Sequence, residues 1–153
     1  MKYVGALRCA RAAIPFMKAQ GWGRIINISG TNARNAGNLS GDARNTSLVH
    51  FTKTLAVQLG RFSITVNCIH PGVTRTERTP RLLAARAKEL GISAEDVEKR
   101  DFTDDSPRGN AIGRMVDASG IAYLTAFLAS DKAWAVTGEL VVATGGAGRS
   151  VYY

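Results

Sequence analysis

Side chains able to move a proton or hold a carbonyl oxygen stand at a few turns of this 153-residue chain. Ser29 and Thr31 follow a short β-branched run and could hold a carbonyl, although strand-end hydroxyls commonly bond backbone. Ser40 and Arg44 share one helix face at i, i+4 spacing. Arg44 could stabilise an anion, but its permanent charge prevents it from acting as a base near neutral pH. His70 could be an acid or base, yet a lone His at a turn reads first as structural. Lys53 reads as a solvated helix-face lysine and Asp42 as a helix N-cap. Arg75, Arg78, Arg81 and Arg86 could favour an acidic or phosphorylated substrate. Glu77 and Glu89 lie among them, as on a solvated helix face. Cys9 and Cys68 lack metal-site spacing and read as small buried hydrophobes.

These residues must be positioned by regular elements. Val4, Leu7, Ile14 and Met17 predict a helix over 1–20, with Pro15 inside it and Gly21-Trp22-Gly23 ending it. The run at 24–29 predicts a buried strand, and 30–41 a surface loop. Leu48, Phe51, Leu55 and Leu59 predict a helix over 43–60, closed by Gly60. Residues 63–69 alternate, with Ile64, Val66 and Cys68 on one side, and His70-Pro71-Gly72 stops that strand. Residues 77–110 are polar, with helices expected at 80–89 and 94–99. A core helix fits 117–129 and a last strand 139–143. Alternating helices and strands imply an α/β domain over 1–153, a partial Rossmann-type layer of about three parallel strands with flanking helices.

Composition excludes several classes. With 45% hydrophobic and 21% charged residues, the chain is neither disordered nor a disulfide scaffold. No apolar run is long enough to cross a bilayer, and Arg8 and Arg11 interrupt any signal-peptide core, so a cytoplasmic location is expected. The net charge of +8 raises the question of nucleic acid. The arginines are scattered and no basic run is interleaved with aromatics, so no specific nucleic-acid partner is expected.

Three segments in order, GRIINIS at 23–29, LVHFTKTLAVQLGRFSITVNCIHPG at 48–72 and FLASDKAWAVTGELVVATGG at 127–146, resemble the C-terminal half of the short-chain dehydrogenase/reductase family. The resemblance implies hydride transfer between NAD or NADP and an alcohol or carbonyl. The family's Gly-rich phosphate-binding turn has no counterpart in this sequence, so nicotinamide nucleotide is not expected to bind this segment saturably below millimolar concentration. Met1 matches the middle of a family helix, so a truncated subunit is expected. The family proton donor is a Tyr-x-x-x-Lys pair helped by a Ser and an Asn. The resemblance places these at Gly41, Asn45, Gly30 and Lys2, and none keeps its chemistry, so no catalytic residue is assigned. Pro71-Gly72-Val73-Thr74-Arg75-Thr76 resembles the family's P-G-x-x-x-T segment. By that resemblance Pro71, Gly72, Val73 and Thr76 are cofactor-binding, beside the nicotinamide, and Thr144-Gly145-Gly146 departs slightly from a family D-G-G. Residues 77–110 fall at the family's substrate lid. Family members self-associate through the helices matching 1–20 and 43–60, and an open sheet edge here would also favour self-association. The expected function is therefore a segment of an oxidoreductase with an atypical active site. The alternative is a catalytically silent member acting in cofactor binding or assembly.

Overall fold

The stretch Lys2–Gln20, rich in alanine, forms helix α1 in the computed structural model, which describes residues 2–34, 37–103 and 105–149. Leu7, Ala10, Ile14 and Met17 recur every three or four residues and pack on one hydrophobic core. Pro15 remains inside the helix. Gly21, with a φ of +65°, ends it in the left-handed region open to glycine. Cys9 is exposed on this helix, contrary to its reading as a buried hydrophobe. The apolar stripe of α1 passes to the side of position 9, which leaves that thiol facing solvent.

Strand β1 (Gly23–Ile28) pairs in parallel with strand β2 (Ile64–Pro71), Gly23 beside Ile64 and Ile28 beside Ile69. Strand β5 (Leu140–Ala143) completes the sheet in the order β1-β2-β5, which is the expected α/β layer of three strands. The alternation of β2 is not matched by alternating burial. Every residue from Ile64 to His70 is buried, because a central parallel strand is covered on both faces. Of its polar members, Asn67 is satisfied by backbone distant in sequence. The Asn67 Nδ2 donates to the Val136 carbonyl (2.8 Å), and its Oδ1 accepts from the Glu139 N–H (3.2 Å).

Helix α2 (Leu39–Leu59) begins four residues earlier than periodicity suggested. Asn38, not Asp42, is the N-cap, its side-chain oxygen accepting from the Gly41 N–H. Asp42 lies in the first turn and accepts from the backbone N–H groups of Gly37 and Asn38. Leu48, Phe51, Leu55 and Leu59 form the buried stripe. Gly60 does not close the helix by a left-handed turn. It stays right-handed at φ −53° and leads a 3-10 turn, and Ser63 makes the left-handed turn at φ 58°.

The chain divides into two compact units. The first, residues 1–71 and 122–142, is built on Leu48, Phe51, Leu55, Leu59, Ile64 and Val66. The second comprises residues 72–121 and 143–153. It holds the two-residue strands β3 (Thr74–Arg75) and β4 (Val116–Asp117), which pair in parallel. Helices α3 (Thr79–Leu90) and α4 (Ala94–Asp101) fall near the expected spans, and Leu83, Val97, Phe102 and Met115 form the core of this unit. Helix α5 (Ala118–Ala129) also agrees with the sequence reading. No described helix is long and apolar enough to cross a membrane.

Candidate active site

Four positions matched to catalytic groups by sequence come together at the C-terminal end of β1, the first turn of α1 and the first turns of α2. The Lys2 Nζ donates to the Ser29 carbonyl (3.0 Å) and to Asn45 Oδ1 (3.0 Å). Lys2 and Asn45, which the resemblance matches to the family's Asn and Lys, are thus in side-chain contact. An ammonium is kept in the cluster, supplied from the other helix.

The two glycines fit the same rearrangement. A Cβ at Gly30 would lie 3.1 Å from Asn45 Nδ2, so the missing serine side chain at 30 leaves room for the Asn45 amide. A Cβ at Gly41 would lie 3.0 Å from Asn38 Oδ1, the atom that caps α2. The space at the tyrosine position is therefore crowded by the cap. Each replacement is matched by a neighbour, which gives a self-consistent polar cluster rather than a set of isolated losses.

Of the hydroxyls weighed from sequence, Ser29 bonds backbone, while the Ser40 Oγ donates to Asn38 Oδ1 (3.4 Å). The Ser29 Oγ donates to the Asn45 carbonyl (3.0 Å). Ser40 and Arg44 meet through backbone, the Arg44 Nε donating to the Ser40 carbonyl (3.0 Å). Thr31 opens a 3-10 turn, its carbonyl accepting from the Arg34 N–H. Lys53 is exposed and lies 3.8 Å from Glu139, a weak surface pair. Beneath the cluster, Asn27 Nδ2 donates to Thr52 Oγ1 (2.9 Å), and Thr52 Oγ1 donates to the Leu48 carbonyl (2.8 Å).

Burial sets the electrostatics. Partial burial lowers the Lys2 pKa from the ordinary lysine value, and the nearby Arg44 charge lowers it further. Burial raises the Cys68 thiol pKa. His70 is 1% exposed with its Nε2 unpartnered. Burial, then the charges of Arg34 and Lys2, lower its pKa to about 4, so it is neutral at neutral pH. Sequence reasoning gave His70 no partner. The alternation of β2 hid its burial.

The segment expected to bind cofactor runs from Pro71 to Thr76. Pro71 ends β2. The Gly72 N–H donates to the Ala143 carbonyl (3.0 Å), and a Cβ there would lie 2.8 Å from Thr144 Cα, so close backbone approach requires glycine. The Val73 carbonyl accepts from the Val116 N–H. The Thr76 N–H donates to Thr79 Oγ1, while the Thr76 hydroxyl is exposed beside a cavity. That hydroxyl suits a nicotinamide carboxamide, and the Gly72 N–H is already committed to Ala143. Among the described residues no group of His, Cys, Asp and Glu could hold a metal ion.

A family model described as enoyl-(acyl carrier protein) reductase matches residues 1–148. NADPH-dependent reductase BacG of Bacillus subtilis (strain 168) is 32% identical over 152 residues, covering 98% of this chain and 57% of that protein. Short-chain reductase protein NovJ of Streptomyces niveus is 35% identical over 143 residues, covering 93% of this chain and 51% of that protein. The chain thus spans about half the length of the curated relatives it matches. The crystal structure of YwfH, an NADPH-dependent reductase involved in bacilysin biosynthesis, aligns at a TM-score of 0.82 and 30% identity, covering 97% of this chain and 56% of that one. L-sorbose reductase from Gluconobacter frateurii, complexed with NADPH and L-sorbose, aligns at 0.86 and 25% identity, with the same coverage of 97% and 56%. With a family model matching residues 1–148 and relatives of 32–35% identity over more than nine-tenths of it, the chain belongs to the short-chain dehydrogenase/reductase family.

Proposed function

We propose that the chain is a segment of an NAD(P)-dependent short-chain oxidoreductase that moves hydride between a nicotinamide and an alcohol or carbonyl, with Lys2 replacing the lost tyrosine as proton donor. The observation that carries this reading is the contact between Lys2 and Asn45. An ammonium has three N–H groups. Two are used by the Ser29 carbonyl and Asn45 Oδ1, which fix the side chain, and the third is left for a substrate oxygen. Its lowered pKa brings the proton closer to transfer at neutral pH. When bound, the nicotinamide cofactor supplies the hydride. Pro71, Gly72, Val73 and Thr76 would lie along its carboxamide end, with the Thr76 hydroxyl the free polar group. The NADPH named for BacG, YwfH and the sorbose reductase favours that nucleotide.

A second reading, a silent member acting in cofactor binding or assembly, is favoured by the Asn38 oxygen crowding the tyrosine position. Self-association through α1, α2 or the β1 edge, where Ile28 is 41% exposed, belongs with either reading. The test is turnover of NADPH and NADH with a carbonyl panel, for the protein carrying this chain and its Lys2→Met and Lys53→Met variants. Turnover lost at least about 100-fold in Lys2→Met and kept in Lys53→Met is expected. Nucleotide binding without turnover in the parent protein supports the silent reading instead.

A further inference from the structure

The second unit contains a cavity of about 270 Å³ lined by Val73, Leu82, Leu83 and Met115, by threonine hydroxyls, and by Arg86 and Arg108. Its size is near the small end for ligand pockets, about 300 Å³. Its lining is apolar and hydroxylic apart from the two guanidiniums, and among the described residues no carboxylate lines it.

The charge behind the wall is unbalanced. Asp101, 6% exposed, accepts from both Arg86 and Arg108. Arg86 grips both carboxylate oxygens, the second at 2.8 Å, while Arg108 reaches one at 3.1 Å. Glu89 also acts on Arg86 electrostatically but is exposed and does not line the cavity. Two guanidiniums thus share one buried carboxylate. Arg108, bound by a single N–H and with half its side chain exposed, keeps donors free.

We infer that this cavity binds a short apolar molecule ending in a carboxylate, with the chain of the ligand against Val73, Leu82, Leu83 and Met115 and its head on Arg108. A monoanion matches the one unit of positive charge left by the Arg86–Asp101–Arg108 group. A dianionic phosphate would overshoot it and would face walls with no further cation. The site rests on the oxidoreductase reading only in treating the ligand as a substrate. Binding itself needs no nucleotide and no turnover.

The test is nucleotide-free binding of hexanoate, hexanol and inorganic phosphate to the full chain, by calorimetry and ligand-observed NMR. Hexanoate is expected to bind saturably and at least about ten-fold more tightly than hexanol or phosphate, a difference of about 1.4 kcal/mol. Arg108→Gln is expected to remove that preference while leaving hexanol binding unchanged. Leu82→Glu, at a position 63% exposed where the fold tolerates a charge, is expected to abolish hexanoate binding. Circular dichroism confirms that each variant is folded. Equal affinity for hexanoate and hexanol, tighter binding of phosphate, or an unchanged preference in folded Arg108→Gln overturns the proposal. Because no hydride transfer is measured, hexanoate binding without carbonyl turnover defeats only the oxidoreductase reading, and turnover without hexanoate preference defeats only this one.

Discussion

Lys2 and Asn45, separated by 43 positions in the chain, meet at 3.0 Å with the lysine donating to the amide oxygen. The family arrangement places these two residue types the other way round. On the matching that the resemblance suggests, the cluster keeps a cation and an amide, with the cation on α1.

Restoring the family residues should therefore fail. Gly41→Tyr pushes a side chain into the Asn38 cap, and Asn45→Lys sets a second ammonium beside Lys2. The double variant is expected to unfold at lower temperature than the parent and to gain no activity. Asn38→Ala alone should cost about 1 kcal/mol through loss of the cap. Thermal unfolding followed by circular dichroism checks both.

His70 makes stability depend on pH. Its pKa is about 4 when folded, against roughly 6.5 in an unfolded chain. As pH falls below 6.5 the unfolded state takes up a proton that the folded state refuses. The stability held by neutral His70 is thus complete above about pH 6.5 and is lost towards pH 4, on the order of 2–3 kcal/mol. Urea unfolding at pH 7 and pH 4.5 measures the loss. His70→Gln should remove most of it across that interval.

The two thiols should separate cleanly under a disulfide reagent. Cys9 is exposed, whereas Cys68 is buried with its pKa raised. One equivalent is expected to react rapidly at pH 8 in the native protein and two in denaturant. Cys9→Ser should abolish the fast phase.

Asp101→Asn removes the charge that joins Arg86 and Arg108. Partial exposure of both arginines limits the penalty to about 1–3 kcal/mol. Hydrogen exchange should show the loss first in α3 and α4, whose amides in the second unit are expected to lose protection before those of β2.

Sequence alone determined helices α1 to α5 and strands β1, β2 and β5 in order, but not the two-residue strands β3 and β4. Apolar spacing marked α1, α2 and α5 within a few residues, because a helix buried on one side must repeat its apolar residues every three or four positions. The β-branched runs gave the strands for a related reason. Local reading failed at one cap and at one buried strand. Asn38 rather than Asp42 caps α2 because its oxygen reaches the Gly41 N–H, and composition makes the two equally good caps. The burial of both faces of β2 depends on what packs above and below, which alternation within the strand cannot report. The resemblance matches the family's four catalytic positions to Gly41, Asn45, Gly30 and Lys2. Only the tertiary structure brought Lys2 to Asn45 and Arg108 to Asp101, since contacts between separated side chains are set by how elements pack and not by any local pattern.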